Sequence, residues 1–332
     1  MIVTRGGGRP QFVDRLLAVT DHRKPRFFAG GFGDRALLSR RVAAFGEPGQ
    51  IAEIELSWGP ETRGKHALER DAEFTSPSHA ELPEEARRAV VRGIFPSNGA
   101  RGRAVLWLAA TNDEGWTMRR NVALPLAREG ITSLLLENPY YGLRRPRDQQ
   151  RADLHTVADQ AAMNGATIVE ARALLALLAK EHAKIAVAGF SMGGQMAALV
   201  AATYPGPVGT VVIAAGDTAV PIFLEGVLER AIHWDVLTRE AGTRAAAREQ
   251  LAAVFEAASL GRRSLPQRPD AAILVAGDAD GYVAADSVER LHALWKGSEL
   301  RWIRAGHATS YLFCKEAWRA AVRDSFQRLS AR

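Results

Sequence analysis

A chain of 332 residues, 47% hydrophobic and 24% charged, can bury a large core, and its length suits one α/β domain with an insertion better than two independent domains. Its net charge of +6 comes from scattered Lys and Arg interleaved with acids, as in Arg239-Glu240 and Arg248-Glu249, and the clusters Arg119-Arg120, Arg144-Arg145-Arg147 and Arg262-Arg263 join no aromatic stacking array. That pattern argues against nucleic acid as a partner and leaves anionic substrates, or peripheral contact with an anionic membrane surface, as uses of the excess charge.

From the N-terminus, residues 1–20 carry Arg5, Arg9, Asp14 and Arg15 with no continuous apolar stretch, so no secretory leader is predicted. No eighteen apolar residues run uninterrupted, so no integral membrane segment is predicted either. A cytoplasmic protein is expected. Residues 1–100 are irregular, with strand-like runs over 51–58, 66–75 and 89–95 separated by Gly and Pro, and are expected to supply an extension and antiparallel edge strands. Residues 75–84 read as a loop. From about residue 103, short apolar runs alternate with longer helical patterns: strands over 104–110, 131–136, 185–188, 210–214, 272–276 and 300–303, and helices over 117–129, 154–180, 192–204, 284–296 and 311–330. This alternation predicts a mostly parallel sheet flanked by helices. It stops between 216 and 268, where 221–224, 232–234 and 251–260 look like amphipathic helices, and a helical lid over the strand ends is expected there. The single Cys314, set against Tyr311-Leu312-Phe313, cannot form an internal disulfide and is expected as a buried helical thiol.

The most informative segment is Gly189-Phe190-Ser191-Met192-Gly193-Gly194, placed between an apolar strand and a helix. A serine at such an apex is held in a strained backbone conformation, and strand and helix pass closely only if the residues two before and two after it are glycine-sized. A serine hydroxyl is a weak nucleophile, so it needs a base, and the base needs an orienting acid. Asp278 or Asp280, after the strand ending at Gly277, supplies the acid. His307, after the next strand, supplies the base. The other seven histidines follow no comparable strand and Gly. The order Ser, Asp, His is that of α/β-hydrolases, and each residue falls at the carboxyl edge of the sheet, where open α/β folds place their sites. A Ca²⁺ loop at Asp278-Ala279-Asp280-Gly281 lacks its remaining ligand positions, no His/Cys spacing suggests zinc, and no cofactor is implied.

Two backbone N–H groups must face the developing oxyanion. Met192, at the start of the helix, is expected to give one, and Thr111, in the loop Thr111-Asn112-Asp113-Glu114-Gly115-Trp116, the other, with Asn112 behind it.

Trp107-Leu108-Ala109-Ala110-Thr111-Asn112-Asp113, Leu136-Glu137-Asn138-Pro139-Tyr140-Tyr141-Gly142 with Arg145-Pro146, and Ser191-Met192-Gly193-Gly194 resemble the α/β-hydrolase domain-containing protein eighteen family of the α/β-hydrolase superfamily, over roughly residues 25 to 310. The resemblance implies an α/β-hydrolase fold and a triad without naming a substrate. Asp280, three residues beyond Gly277, has the spacing that the superfamily's acid loop resembles, and is therefore preferred over Asp278. In this chain Leu-Ala-Ala-Thr-Asn-Asp stands where the family has Leu-Ala-Gly-Thr-Gly-Asp.

The expected activity is hydrolysis of an acyl ester or thioester, of a small molecule or lipid, through an acyl-enzyme on Ser191. Tyr140, Tyr141, Arg144 and Arg145 are expected at the pocket, with Arg144 and Arg145 favouring a negatively charged substrate. The apolar side of the lid, including Ile222, Phe223, Leu224 and Trp234, is expected to cover the acyl pocket and exclude water, with Asn112, Phe223 and Trp234 among the residues that touch substrate. A small peptidase or amidase and a non-catalytic ligand-binding protein on the same fold are the rival readings.

Overall fold

The computed structural model describes residues 2–3, 14, 25–45 and 47–330. Apart from Ile2, Val3 and Asp14, the N-terminal stretch read above as lacking a leader lies outside the described residues. The strands are β1 (Ile2–Val3), β2 (Ser57–Trp58), β3 (Thr62–Arg63), β4 (Ala67–Thr75), β5 (Arg88–Pro96), β6 (Arg103–Leu108), β7 (Ile131–Leu136), β8 (Lys184–Phe190), β9 (Gly209–Ile213), β10 (Ala272–Gly277) and β11 (Glu299–Ile303). The α-helices among the described residues are α1 (Arg35–Ala44), α2 (Thr117–Arg128), α3 (Val157–Glu181), α4 (Met192–Thr203), α5 (Val220–Leu224), α6 (Trp234–Ala241), α7 (Arg244–Ala257), α8 (Ala285–Leu294), α9 (His307–Phe313) and α10 (Lys315–Ser330).

All the strands join one sheet in the order β1-β11-β10-β9-β8-β6-β7-β5-β4-β2, with β3 also on β4. From β7 to β11 neighbouring strands are parallel, while β5, β4, β2, β3 and β1 are antiparallel additions at the two ends. The expected antiparallel edge from the first hundred residues is therefore present. Every residue of β7, β9 and β10 is buried, because a parallel strand covered on both faces reads as a continuous apolar run. Successive side chains then feed opposite layers. Leu106, Leu108 and Val187 pack with Leu174 of α3 and Leu199 of α4, whereas Val105, Trp107 and Ala186 pack with Val122 and Leu126 of α2 and Trp318 and Phe326 of α10. Each fully buried aliphatic side chain contributes about 1.5–3 kcal/mol.

The helix α3 is capped by Thr156, whose side chain accepts from Asp159 N–H while Asp159 returns a bond to the Thr156 amide, a reciprocal box that satisfies two donors. Long and apolar enough to cross a bilayer, it is instead mostly buried in the core.

Several expectations need correction. Of the run 51–58, only Ser57–Trp58 pairs, although Ile51, Ile54 and Leu56 do pack on the core: alternation reports which side faces inward, and a ladder also needs a free edge. The three-residue run 232–234 is not a helix, since Ile232 forms a parallel bridge with Phe27 and α6 begins at Trp234. The helix expected over 311–330 starts at His307 and is interrupted at Cys314, where Lys315 Nζ donates to the Tyr311 carbonyl at 2.7 Å and satisfies a C-terminal acceptor of α9. Cys314 is half-buried at that junction, and burial pushes its thiol up. The helix α1, unread in the sequence, has Asp34 as its cap, accepting from Ala36 and Leu37.

Candidate active site

Ser191 sits between β8 and α4 at φ 55°, ψ −122°, a conformation that costs a non-glycine residue about 1–3 kcal/mol and persists only when its surroundings impose it. The flanking glycines are what allow it. A Cβ on Gly189 would collide with the Gly193 carbonyl, and one on Gly193 with the Leu108 carbonyl of β6. The turn thus lifts the Ser191 hydroxyl above the carboxyl ends of β6, β8 and β9, and its amide donates to Ile213 O at 2.8 Å.

Two loops bring partners to it. His307 Nε2 lies 3.0 Å from Ser191 Oγ, and His307 Nδ1 lies 2.8 Å from Asp280 Oδ2. The other oxygen, Asp280 Oδ1, accepts from the Tyr282 and Val283 amides at 2.8 and 2.9 Å, so the carboxylate is fixed at both ends. A carboxylate only accepts, which assigns the Nδ1 hydrogen to that bond and leaves Nε2 free to take the serine proton. Burial by itself would push the imidazole down, but the Asp280 carboxylate beside it, with Asp14 also near, reverses this and holds His307 above its ordinary value. The Tyr282 ring stacks 4.7 Å from the imidazole and Phe190 lies 4.8 Å away. Asp278 does not reach the histidine; its Oδ1 accepts from Ala305 N–H at 3.2 Å.

The loop after β6 approaches Ser191 from the other side. Thr111 Oγ1 is 3.7 Å from Met192 Sδ, and Asn112 has φ 62°. Carboxylates tie this loop to the one after β7. Glu137 Oε1 accepts from Gly115 N–H at 2.9 Å, and Glu114 Oε1 from Gly142 N–H at 2.9 Å. Arg119 is almost fully buried beneath them, 2.8 Å from Asp113 and 3.2 Å from Glu137, and its guanidinium also donates to the carbonyls of Leu136 and Gly115. Burial drives both carboxyls, Asp113 and Glu137, above their usual range, with Arg119 opposing.

Ser191 and His307 open into a cavity of about 540 Å³ whose apolar lining includes Phe27, Met192, Met196, Ile222, Phe223 and Phe255, while polar groups come from Thr111, Asn112, Asp113, Glu114 and Thr117 on one side and from Gln160, Asn164 and Gln195 on the other. Leu224 and Trp234 do not line it. Trp234 is buried elsewhere, donating from Nε1 to Glu229 O at 2.8 Å beneath the Arg244 guanidinium. Phe223 stacks on Phe255 with centroids 4.2 Å apart. The loop after β7 also departs from expectation. Tyr140 and Tyr141 are buried away from the cavity; Tyr140 donates to Asp159 at 3.2 Å, and burial pushes both phenols up. Arg144, wholly buried, pairs with Glu170 at 2.6 Å and donates to the Ala86 and Glu137 carbonyls. Arg145 is held by Glu114 at 2.7 Å. Neither arginine is a free pocket cation. Their local acids are distant in sequence, and a lone sequence does not disclose such pairs.

Gln160 and Asn164 were missed. They lie one helical turn apart on the apolar helix α3, with Gln160 Nε2 donating to Asn164 Oδ1 at 3.0 Å, and a polar pair at that spacing on a buried face was the available signal.

This sheet order, with a strained serine between β8 and α4, defines an α/β-hydrolase fold. Solved structures agree on the fold at low identity. The chain is similar to an acetyl xylan esterase from Paenibacillus sp. R4, with a TM-score of 0.62, 13% identity and 93% and 98% of the two chains covered. It is likewise similar to acetyl xylan esterase 1 from Thermoanaerobacterium sp. JW/SL YS485, at 0.57, 13%, 92% and 98%, and to an S-formylglutathione hydrolase from Agrobacterium tumefaciens, at 0.52, 15%, 84% and 100%. Within that class the chain belongs to the family described as alpha/beta hydrolase domain containing 18, whose model matches residues 26–251 and 238–328.

The buried Arg144–Glu170 pair yields a stability prediction. Arg144→Met strands the Glu170 charge and is expected to cost about 3–5 kcal/mol, while the double replacement Arg144→Met, Glu170→Met should lose less than the single one. Urea denaturation of the three proteins checks this, and a double variant less stable than Arg144→Met would contradict it.

Proposed function

We propose that this chain is a serine hydrolase that cleaves an acyl ester or thioester through an acyl-enzyme on Ser191. The observation that carries the reading is the relay from Ser191 Oγ through His307 to Asp280, at 3.0 and 2.8 Å, opening into a largely apolar cavity. Ser191 Oγ attacks the acyl carbon as its proton passes to Nε2. The tetrahedral oxyanion is held by the Met192 and Thr111 amides, at the start of α4 and just beyond β6. Collapse breaks the bond to the leaving alcohol or thiol, which takes the proton from the imidazolium. A water, deprotonated by the same nitrogen, then releases the acid and restores the serine. Asp280 holds the ring and stabilises its charged form throughout.

Residues 216–268 act in this reading as a helical lid, with Ile222, Phe223 and Phe255 over the acyl group. The esterases similar in fold support ester cleavage as the reaction, and the cavity supports an acyl group larger than acetyl.

A fluorophosphonate probe should label the wild type and not Ser191→Ala, with both proteins melting alike. An unlabelled wild type beside reacting control hydrolases would favour a binding protein instead. Asp280→Asn should slow labelling by about 10³- to 10⁴-fold, whereas Asp278→Asn should change it little. Because His307 is held above its ordinary value and only the neutral ring accepts the proton, the rising limb of the wild-type pH profile should lie above about pH 6.5.

Chain-length preference across a panel of acyl esters should change in Phe223→Ala, whose ring lines the cavity, and remain that of the wild type in Trp234→Ala, whose ring does not. Matching profiles for all three would remove the 216–268 segment from specificity.

A further inference from the structure

Behind the histidine lies a carboxylate that the relay does not use. Asp14 is 1% exposed, and its two oxygens accept three backbone N–H groups: Oδ2 from His307 at 2.6 Å and Gly281 at 3.0 Å, and Oδ1 from Ala308 at 3.0 Å. Gly281 directly follows Asp280, so one side chain, 293 positions from His307 in sequence, clasps the acid loop and the histidine loop together. The residue preceding the histidine fits this role. Gly306 has no side chain that could accept from the His307 and Ala308 amides, and a Cβ there would lie 2.5 Å from Asp14 Oδ2. Glycine is required because the carboxylate occupies that space.

Resting on the hydrolase reading, we propose that Asp14 is a positioning residue for His307: its buried carboxylate locks the acid and histidine loops in register and keeps a second negative charge behind the imidazole. Three charge-assisted bonds to amides hold the backbone from which the ring projects. Among the described residues, the ionisable groups facing the imidazole are Asp280, Asp14 and the stacked phenol of Tyr282, while β8 and the turn after it present the uncharged Phe190 and Ser191. Asp280 and Asp14 both favour the protonated ring. Asp14 therefore helps stabilise the imidazolium formed when Ser191 loses its proton.

The test reads the histidine directly. In protein carrying ¹³C at histidine Cε1, the His307 signal, assigned with His307→Gln, is titrated by NMR in the wild type, Asp14→Asn and Gly306→Ala. Asp14→Asn keeps the shape and one acceptor oxygen while removing the charge and turning an NH2 group toward the remaining amide, and Gly306→Ala displaces the carboxylate while leaving Asp14 itself unchanged. Both are expected to titrate at lower pH than the wild type, and the rising limb of fluorophosphonate labelling against pH should move down with them. Asp14→Ala should in addition slow labelling by on the order of tenfold or more at its best pH, from lost ring placement. A His307 titration identical in all three proteins, or an Asp14→Asn that fails to fold and so assigns the carboxylate to the scaffold alone, overturns the proposal. The NMR titration stands whether or not Ser191 reacts, so an unlabelled wild type counts against the hydrolase reading and not against Asp14.

Discussion

Everything at the site follows from one backbone constraint, the positive φ of Ser191 between a buried strand and a buried helix. That conformation is unfavourable for a serine and survives because β8, α4 and β6 press against it from three sides, with glycine at the two contacts where a side chain would not fit. The rigidity of the central strands is transmitted to a single hydroxyl. The loops after β10 and β11 need only carry an acid and a base to the same edge, and the parallel register of β8, β9, β10 and β11 brings their ends there.

The charged residues around the site are organised by burial. Arg119 and Arg144 are enclosed by the fold and anchor the loops after β6 and β7 through Asp113, Glu137 and Glu170. Removing charges from water is costly unless each is paired and hydrogen-bonded, so these pairs fix loop geometry more than they add net stability. The same logic applies to Asp280, whose second oxygen is held by the Tyr282 and Val283 amides.

Much of the architecture was legible in the amino-acid sequence because it rests on local patterns. The parallel strands are continuous apolar runs, and the elbow is a six-residue motif whose glycines have a steric reason. Asp280 and His307 each follow a strand directly. What was not legible depends on tertiary neighbours. Arg144 and Arg145 read as free cations, since Glu170 and Glu114 are brought to them only by the packed fold. Trp234 read as a lid residue from its hydrophobicity alone, whereas its indole N–H had a carbonyl to find at Glu229. Asp14 had no local signal at all, because its three partners lie beyond residue 280.

The ends of the sheet have a further consequence. Among the described residues, the long strand β4 is covered on one side by the two-residue strands β2 and β3, and on the other side of the sheet β11 is met by the two-residue strand β1. An open strand edge is a template for pairing with another molecule, and proteins blunt it with short strands and charge. Here β4 carries Glu69, Arg70, Asp71 and Glu73 along its length, and Arg301 of β11 is committed to Glu299 and Asp324. A sheet this wide and this apolar at its centre thus carries at its margins the short strands and charges that disfavour edge-to-edge pairing.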